Sequence, residues 1–164
     1  MIILFYEVFV DGASRGQGTK DEDGKPVLGH GAAAAMIYRN KNLIGQYSRG
    51  LGRVSNSQAE YEAILLGALM CWSADLNNPI MYSDSQSAVN QINGRWKCKS
   101  ENLIPLYKSI MDLKSVYNFH LVKAPRNSIG EVDQLVNSFL DEMLEKPVQS
   151  KVGKHSIKNA KRVN

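Results

Sequence analysis

Four acidic residues stand where an acid is out of place: Asp11 in YEVFVDGAS, Glu60 in SNSQAEYEA, Asp84 in PIMYSDSQ and Asp133 in GEVDQLVN. Each ends or enters an apolar or helix-start segment, where a lone carboxylate is expensive to bury. Brought together without partners, they would repel. Two charges about 4 Å apart cost roughly 4 kcal/mol at an effective dielectric near 20. Cations remove that cost. An all-oxygen cluster suits Mg²⁺, which keeps positions open for water and a substrate phosphate. Two ions about 3.5–4 Å apart can activate a water and stabilise the leaving oxygen of a phosphodiester. With 16 acids in the chain, any one of the four could merely flank its element. Their ordered occurrence is what points to metal-assisted hydrolysis.

For these acids to meet, the surrounding elements must carry them to one place. Residues 2–10 read as a strand, after which Asp11-Gly12 opens a loop. Residues 16–31 are polar and glycine-rich, as in a long hairpin connection. Strands at 32–40 and 42–50, turning at 40–42, complete an antiparallel meander. Ser57 fits an N-cap, with Glu60 three residues on as in a capping box, ahead of an apolar helix over 59–72. A short strand over 79–83 leads to Asp84. Helices over 85–93, ending near Gly94, and 102–116 precede a strand over 118–124. Val132, Leu135, Val136, Phe139 and Met143 mark a last helix, followed by Pro147. The order βββαβααβα predicts an α/β fold: a five-stranded mixed sheet, with a β-meander and parallel strands, flanked by helices. If the first and fourth strands are neighbours, Asp11 and Asp84 face one crevice beyond the strand ends, where sites form in open α/β sheets. Glu60 has Ile64, Gly67 and Cys71 below it and sits at the rim of a buried face. Asp133 begins its helix above Val136 and Leu140.

The 164 residues are enough for one domain with its own core. A 43% hydrophobic and 22% charged content is ordinary for a soluble globular chain. No apolar run approaches the roughly 18 residues of a membrane span, so no membrane association is expected. MIILFYEVFV lacks a basic start and contains Glu7, so it reads as a strand and not as a signal peptide. Cys71 and Cys98 lack metal-ligand spacing and read as reduced thiols of a cytoplasmic protein. The net charge of +4 lies in residues 148–164, which hold five basic residues and no acid, leaving 15 basic and 16 acidic residues elsewhere. The expected division is a domain over 1–147 and a basic tail over 148–164. The tail either attracts nucleic acid or is a solubilising end.

The motifs resemble type 1 ribonuclease H, particularly its compact bacterial and archaeal subgroup. VDGASRGQG is similar to the family's first-strand motif and SNSQAEYEAILLGA to its helix motif. YSDSQSAVNQINGRWKCKSENLIPLY resembles the middle segment, and APRNSIGEVDQLVN the final one. The resemblance covers about residues 3–144. It implies that Asp11, Glu60, Asp84 and Asp133 are metal-binding catalytic acids for two Mg²⁺ or Mn²⁺ ions. Glu62 competes locally with Glu60, and the Ala-Glu-Tyr match favours Glu60. The implied substrate is an RNA–DNA hybrid, with double-stranded RNA a further substrate of some members. A monomer is expected. Contacts to the hybrid are implied for Gly12, Ser14 and Gln17 of the first motif, for Ser55, Asn56 and Ser57 before the catalytic Glu, and for Gln86. Amide and hydroxyl groups suit 2′-hydroxyls and base edges. Arg126 matches a basic residue that assists product release. His120 falls in a strand as a partly buried residue. Trp96, Lys97 and Lys99 either grip the DNA strand by stacking and phosphate contacts, or Trp96 packs on the sheet rim.

The chain departs from the family in three places. GTKDEDGKPVLGH replaces a tight turn, and its Asp21, Glu22 and Asp23 form either a cation site or a solvated hairpin tip. Ile129 occupies the position, four before Asp133, where the family often has Asn. The basic protrusion of some relatives is missing between the 85–93 and 102–116 helices. The resemblance implies an endonuclease acting on the RNA strand. A catalytically silent nucleic-acid-binding module of the same fold is the contrasting reading.

Overall fold

The computed structural model describes residues 3–145 other than 17, 19, 26 and 126. Gln17, Arg126 and the 148–164 segment therefore lie outside the described residues. Five strands form one sheet: β1 (Tyr6–Arg15), β2 (Gly29–Arg39), β3 (Asn42–Val54), β4 (Ile80–Ser83) and β5 (His120–Lys123). Four helices are described: α1 (Asn56–Ser73), α2 (Gln86–Ile92), α3 (Ile104–Tyr117) and α4 (Gly130–Glu145). The spatial order is β3-β2-β1-β4-β5. β1 pairs antiparallel with β2, and β2 with β3, while β4 lies parallel to both β1 and β5. The expected order and mixed sheet are borne out.

Each face of the sheet has its own core. Val8, Val10, Ala33, Ala35 and Ile37 pack with Tyr61, Ile64 and Ala68 of α1. Ala32, Ala34 and Met36 pack with Val132, Val136 and Leu140 of α4. Residues 32–35 are four consecutive fully buried alanines. Alanine is a poor intrinsic strand former. Here its small side chain lets helices approach a central strand from both faces. α1 approaches β1 just as closely: a Cβ at Gly67 would lie 2.6 Å from a Val10 methyl. No helix among the described residues is long and apolar enough to cross a membrane.

Three sequence expectations need correction. Asp11-Gly12 does not open a loop: β1 continues to Arg15, because its ladder with β2 runs on to His30. The N-cap of α1 is Ser55, not Ser57, and its box partner is Gln58, not Glu60. Ser55 Oγ accepts from the Gln58 amide at 3.1 Å, and Gln58 Oε1 accepts from the Ser55 amide at 3.0 Å. Finally, His120 is exposed, because β5 is an edge strand.

Candidate active site

The β1–β4 ladder runs from Glu7 opposite Ile80 to Phe9 opposite Tyr82. Continuing that register brings Asp11 level with Asp84, immediately beyond the end of β4. β1 outruns its neighbour at this point, and the gap is the crevice. Asp11 points to the α4 face, since it shares strand parity with Phe9 and Ala13, which pack there. α4 brings Asp133 near Asp11, close enough for the two carboxyl groups to act on each other.

Glu60 arrives from the opposite face through Gly12. A Cβ on Gly12 would lie 2.0 Å from the Ala59 carbonyl oxygen and 2.8 Å from the Glu60 nitrogen. Only a glycine lets the first turns of α1 rest directly on β1, beside Asp11. Because Gln58 completes the cap, the Glu60 carboxylate is free to accept from Ser85 Oγ at 2.8 Å. Glu62 turns away and pairs with Arg49 across β3 at 3.8 Å. The two glutamates thus face different partners, Glu60 toward Ser85 and Glu62 toward Arg49.

The electrostatics are those of a concentrated negative charge. Asp11 is 7% exposed. Burial first, then Asp84, Asp133 and Glu60, push its carboxyl from 3.8 up to about 8. Burial also raises Glu60, as does Asp84, while the Ser85 hydroxyl and the Lys123 charge act the other way. Lys123 Nζ donates to the main-chain oxygen of Asp84. Asp84 and Asp133 are exposed. Among the described residues, no three His, Cys, Asp or Glu side chains already form a group able to hold a metal ion. The four acids share a field, not a closed ligand cage. Their donor set is nonetheless that of a hard divalent cation: all carboxylate oxygen, with two members, Asp84 and Asp133, open to solvent.

The residues implied to touch substrate divide into two sets. Ser14 and Asn56 are tied to each other, the Ser14 amide donating to Asn56 Oδ1 at 3.0 Å, and Ser14 Oγ donates to the Val54 carbonyl at 2.8 Å. With Ser55 in the cap, these groups join β1, the end of β3 and the start of α1. Ser57 and Gln86 are exposed and face solvent. Trp96, Lys97 and Lys99 lie in the loop after α2, whose half-buried Cys98 packs against the core. Trp96 is 53% exposed, which leaves about half of its surface open to a ligand. Asp21 forms a turn with its own neighbours, accepting from the amides of Asp23 and Lys25, as a hairpin tip does.

Two members of the site escaped sequence reasoning. Ser85 was legible as the N-cap of α2, which its side chain is, but not as a donor to Glu60. Lys123 carried no signal, since a lysine ending an edge strand is ordinary.

The model of the family described as reverse transcriptase-like matches residues 21–139, which include Glu60, Asp84 and Asp133. The chain belongs to the reverse transcriptase-like family. Family membership and sheet order agree with the type 1 ribonuclease H resemblance drawn from the motifs. The chain is 28% identical to the bifunctional protein Rv2228c of Mycobacterium tuberculosis over 134 residues, covering 80% of the chain and 34% of that protein. It thus spans about a third of the length of the curated relatives it matches. Among solved structures it is similar to RNase H1 of Halobacterium salinarum NRC-1, with a TM-score of 0.73 and 22% identity over 84% of this chain and 98% of that one. The N-terminal RNase H domain of Rv2228c gives 0.75 and 23%, over 87% and 97%. LC11-RNase H1, solved with an RNA/DNA hybrid, gives 0.72 and 25%, over 85% and 99%.

Proposed function

We propose that this chain is a ribonuclease H: an endonuclease that hydrolyses the RNA strand of RNA–DNA hybrids with two Mg²⁺ or Mn²⁺ ions. The observation that carries the reading is Asp11, buried at the open end of β1 and surrounded by the charges of Asp84, Asp133 and Glu60. A fold that only bound nucleic acid would gain nothing by keeping that repulsion. The likeness to a ribonuclease H1 solved with a hybrid supports the substrate class.

Divalent ions, when bound, polarise the scissile phosphate and lower the pKa of an attacking water. Asp11 would be the central ligand of the ions, since it feels the charge of all three other acids. Glu60, Asp84 and Asp133 would complete the ligand set. Ser85 fixes one oxygen of Glu60, and Lys123 steadies the peptide of Asp84. Water attacks phosphorus in line, the P–O3′ bond breaks, and the products carry a 5′-phosphate and a 3′-hydroxyl. Gly12, Ser57 and Gln86 line the approach to the acids, and Trp96, Lys97 and Lys99 offer stacking and phosphate contacts to the DNA strand.

The test is cleavage of labelled RNA–DNA hybrid, double-stranded RNA and double-stranded DNA, with and without Mg²⁺, beside Asp84→Asn. Metal-dependent cutting of the hybrid, lost in the variant, is expected. No cutting of hybrid with metal present defeats the enzyme reading and leaves a binding module. Cutting of double-stranded RNA as well would widen the substrate class.

A further inference from the structure

Asp133 is the most weakly supported of the four acids in sequence terms, because Ile129 stands where the family often places an amide before it. It is also exposed, so its side chain needs a partner to hold one direction. The structure provides that partner on the other side. Asn137 lies four residues later, on the same face of α4. Its Nδ2 donates to the Asp133 main-chain oxygen at 2.9 Å and to Asp133 Oδ1 at 3.2 Å.

The orientation of the Asn137 amide is set by Arg15. Arg15 Nη2 donates to Asn137 Oδ1 at 2.8 Å and to the Asn137 carbonyl at 3.3 Å. A guanidinium has only donors, so the amide oxygen must face it, and the NH₂ group is left to face Asp133. Arg15 is itself fixed by an ion pair with Asp141, one further turn along α4. It is the last residue of β1, four beyond Asp11 and therefore on the same face of the strand. The series Asp141, Arg15, Asn137, Asp133 thus ends on a carboxylate whose charge acts on Asp11.

We infer that Asn137, oriented by Arg15, is a positioning residue that holds the Asp133 carboxylate toward Asp11 as a metal ligand. This rests on the ribonuclease H reading above. A neutral donor suits the task. It fixes one carboxylate oxygen without adding charge, and it leaves the other free as a ligand. Hydrogen-bonding partners of metal-bound carboxylates typically contribute about 10–100-fold to metal affinity or activity. The competing account is that Arg15 merely staples α4 to the sheet.

Asn137→Asp separates the two accounts. It keeps, and strengthens, the acceptor for Arg15, but removes the donor to Asp133. Mn²⁺ binding to the full chain is measured by titration calorimetry, with thermal melting as the check on folding and hybrid cleavage followed against Mg²⁺ concentration. Asn137→Asp and Asn137→Ala should each weaken Mn²⁺ binding about tenfold. Asn137→Asp should melt within a few degrees of the unaltered protein. Excess Mg²⁺ should recover most of the cleavage rate lost in Asn137→Ala. In an Asp133→Asn background, adding Asn137→Ala should change Mn²⁺ binding no further. Unaltered Mn²⁺ affinity in both single variants overturns the inference while leaving the ribonuclease reading intact. So does an equal loss of affinity with and without Asp133. If the unaltered protein neither binds Mn²⁺ nor cuts hybrid, the ribonuclease reading fails and this inference with it.

Discussion

Glu7 and Asp11 are two buried acids on one strand and one face, four residues apart, at 5% and 7% exposure. Their surroundings differ completely. Glu7 receives Lys41 Nζ at 2.8 Å, and Tyr82 lies against it, its hydroxyl pushed up first by burial and then by that carboxylate. Asp11 faces three further acids and is pushed up to about 8. Burial alone therefore does not mark a functional acid. An acid with its own cation has its charge answered inside the fold. An acid surrounded by acids has no such answer inside the fold, and this is the arrangement the proposed cation site would use.

The largest effect expected from breaking this contrast is on catalysis. Asp11→Asn should lower hybrid cleavage on the order of a thousandfold or more, as a central metal ligand worth several kcal/mol would require. The same change should stabilise the metal-free protein. The sign follows from linkage. Asp11 has its folded pKa raised from 3.8 to about 8, so its protonated form is the stable one in the fold. The stability it contributes is full below pH 3.8 and is lost as pH rises toward about 8. Urea unfolding of the metal-free protein should show a decline of at most about 1.4 kcal/mol per pH unit from this group. Asp11→Asn should flatten that decline, and Mg²⁺ should offset it in the unaltered protein. A metal-free stability that rises with pH through this window would contradict the assignment.

Gly12→Ala comes next. The added carbon would sit 2.0 Å from the Ala59 oxygen, so α1 must move off β1 and carry Glu60 with it. A loss of about 1–3 kcal/mol is expected in urea melts, from overpacking against backbone. Cleavage should fall even at temperatures where the variant is folded. Full activity in a folded Gly12→Ala protein would mean that Glu60 does not need this close approach.

Glu7→Gln should show the smallest effect. It loses the ion pair but keeps an acceptor for Lys41, whose side chain is 78% exposed. About 1 kcal/mol of stability is expected to go, with cleavage unchanged. Lost cleavage in this variant would erase the distinction between the two acids.

Much of the architecture was legible beforehand, for identifiable reasons. The 3–4 spacing of Val132, Leu135, Val136 and Phe139 marked α4, and all four pack in the core on that face of the sheet. The alanine run in β2 was readable as a strand from its flanks more than from its residues. The cap of α1 was misplaced because two overlapping pairs, Ser55 with Gln58 and Ser57 with Glu60, both satisfy the three-residue spacing. Only the chain's approach from β3 selects the first. β1 was cut short because Asp11-Gly12 looks like a turn locally. The same two residues are instead the continuing strand, with the glycine serving a helix 47 positions further on.

By itself the sequence determined the order of elements, the apolar faces that join them, and the small set of segments where acids interrupt those faces. Local chemistry decides these, since spacing and residue type act over a few residues. Only the tertiary structure decided which acids answer one another. Glu7 and Asp11 are equivalent by strand alternation, and Glu60 and Glu62 are near neighbours on one helix. What separates them is the company brought by distant elements: Lys41 to Glu7 and Arg49 to Glu62, but carboxylates to Asp11 and Ser85 to Glu60. Electrostatic interaction depends on distance through space, and distance through space is what folding creates.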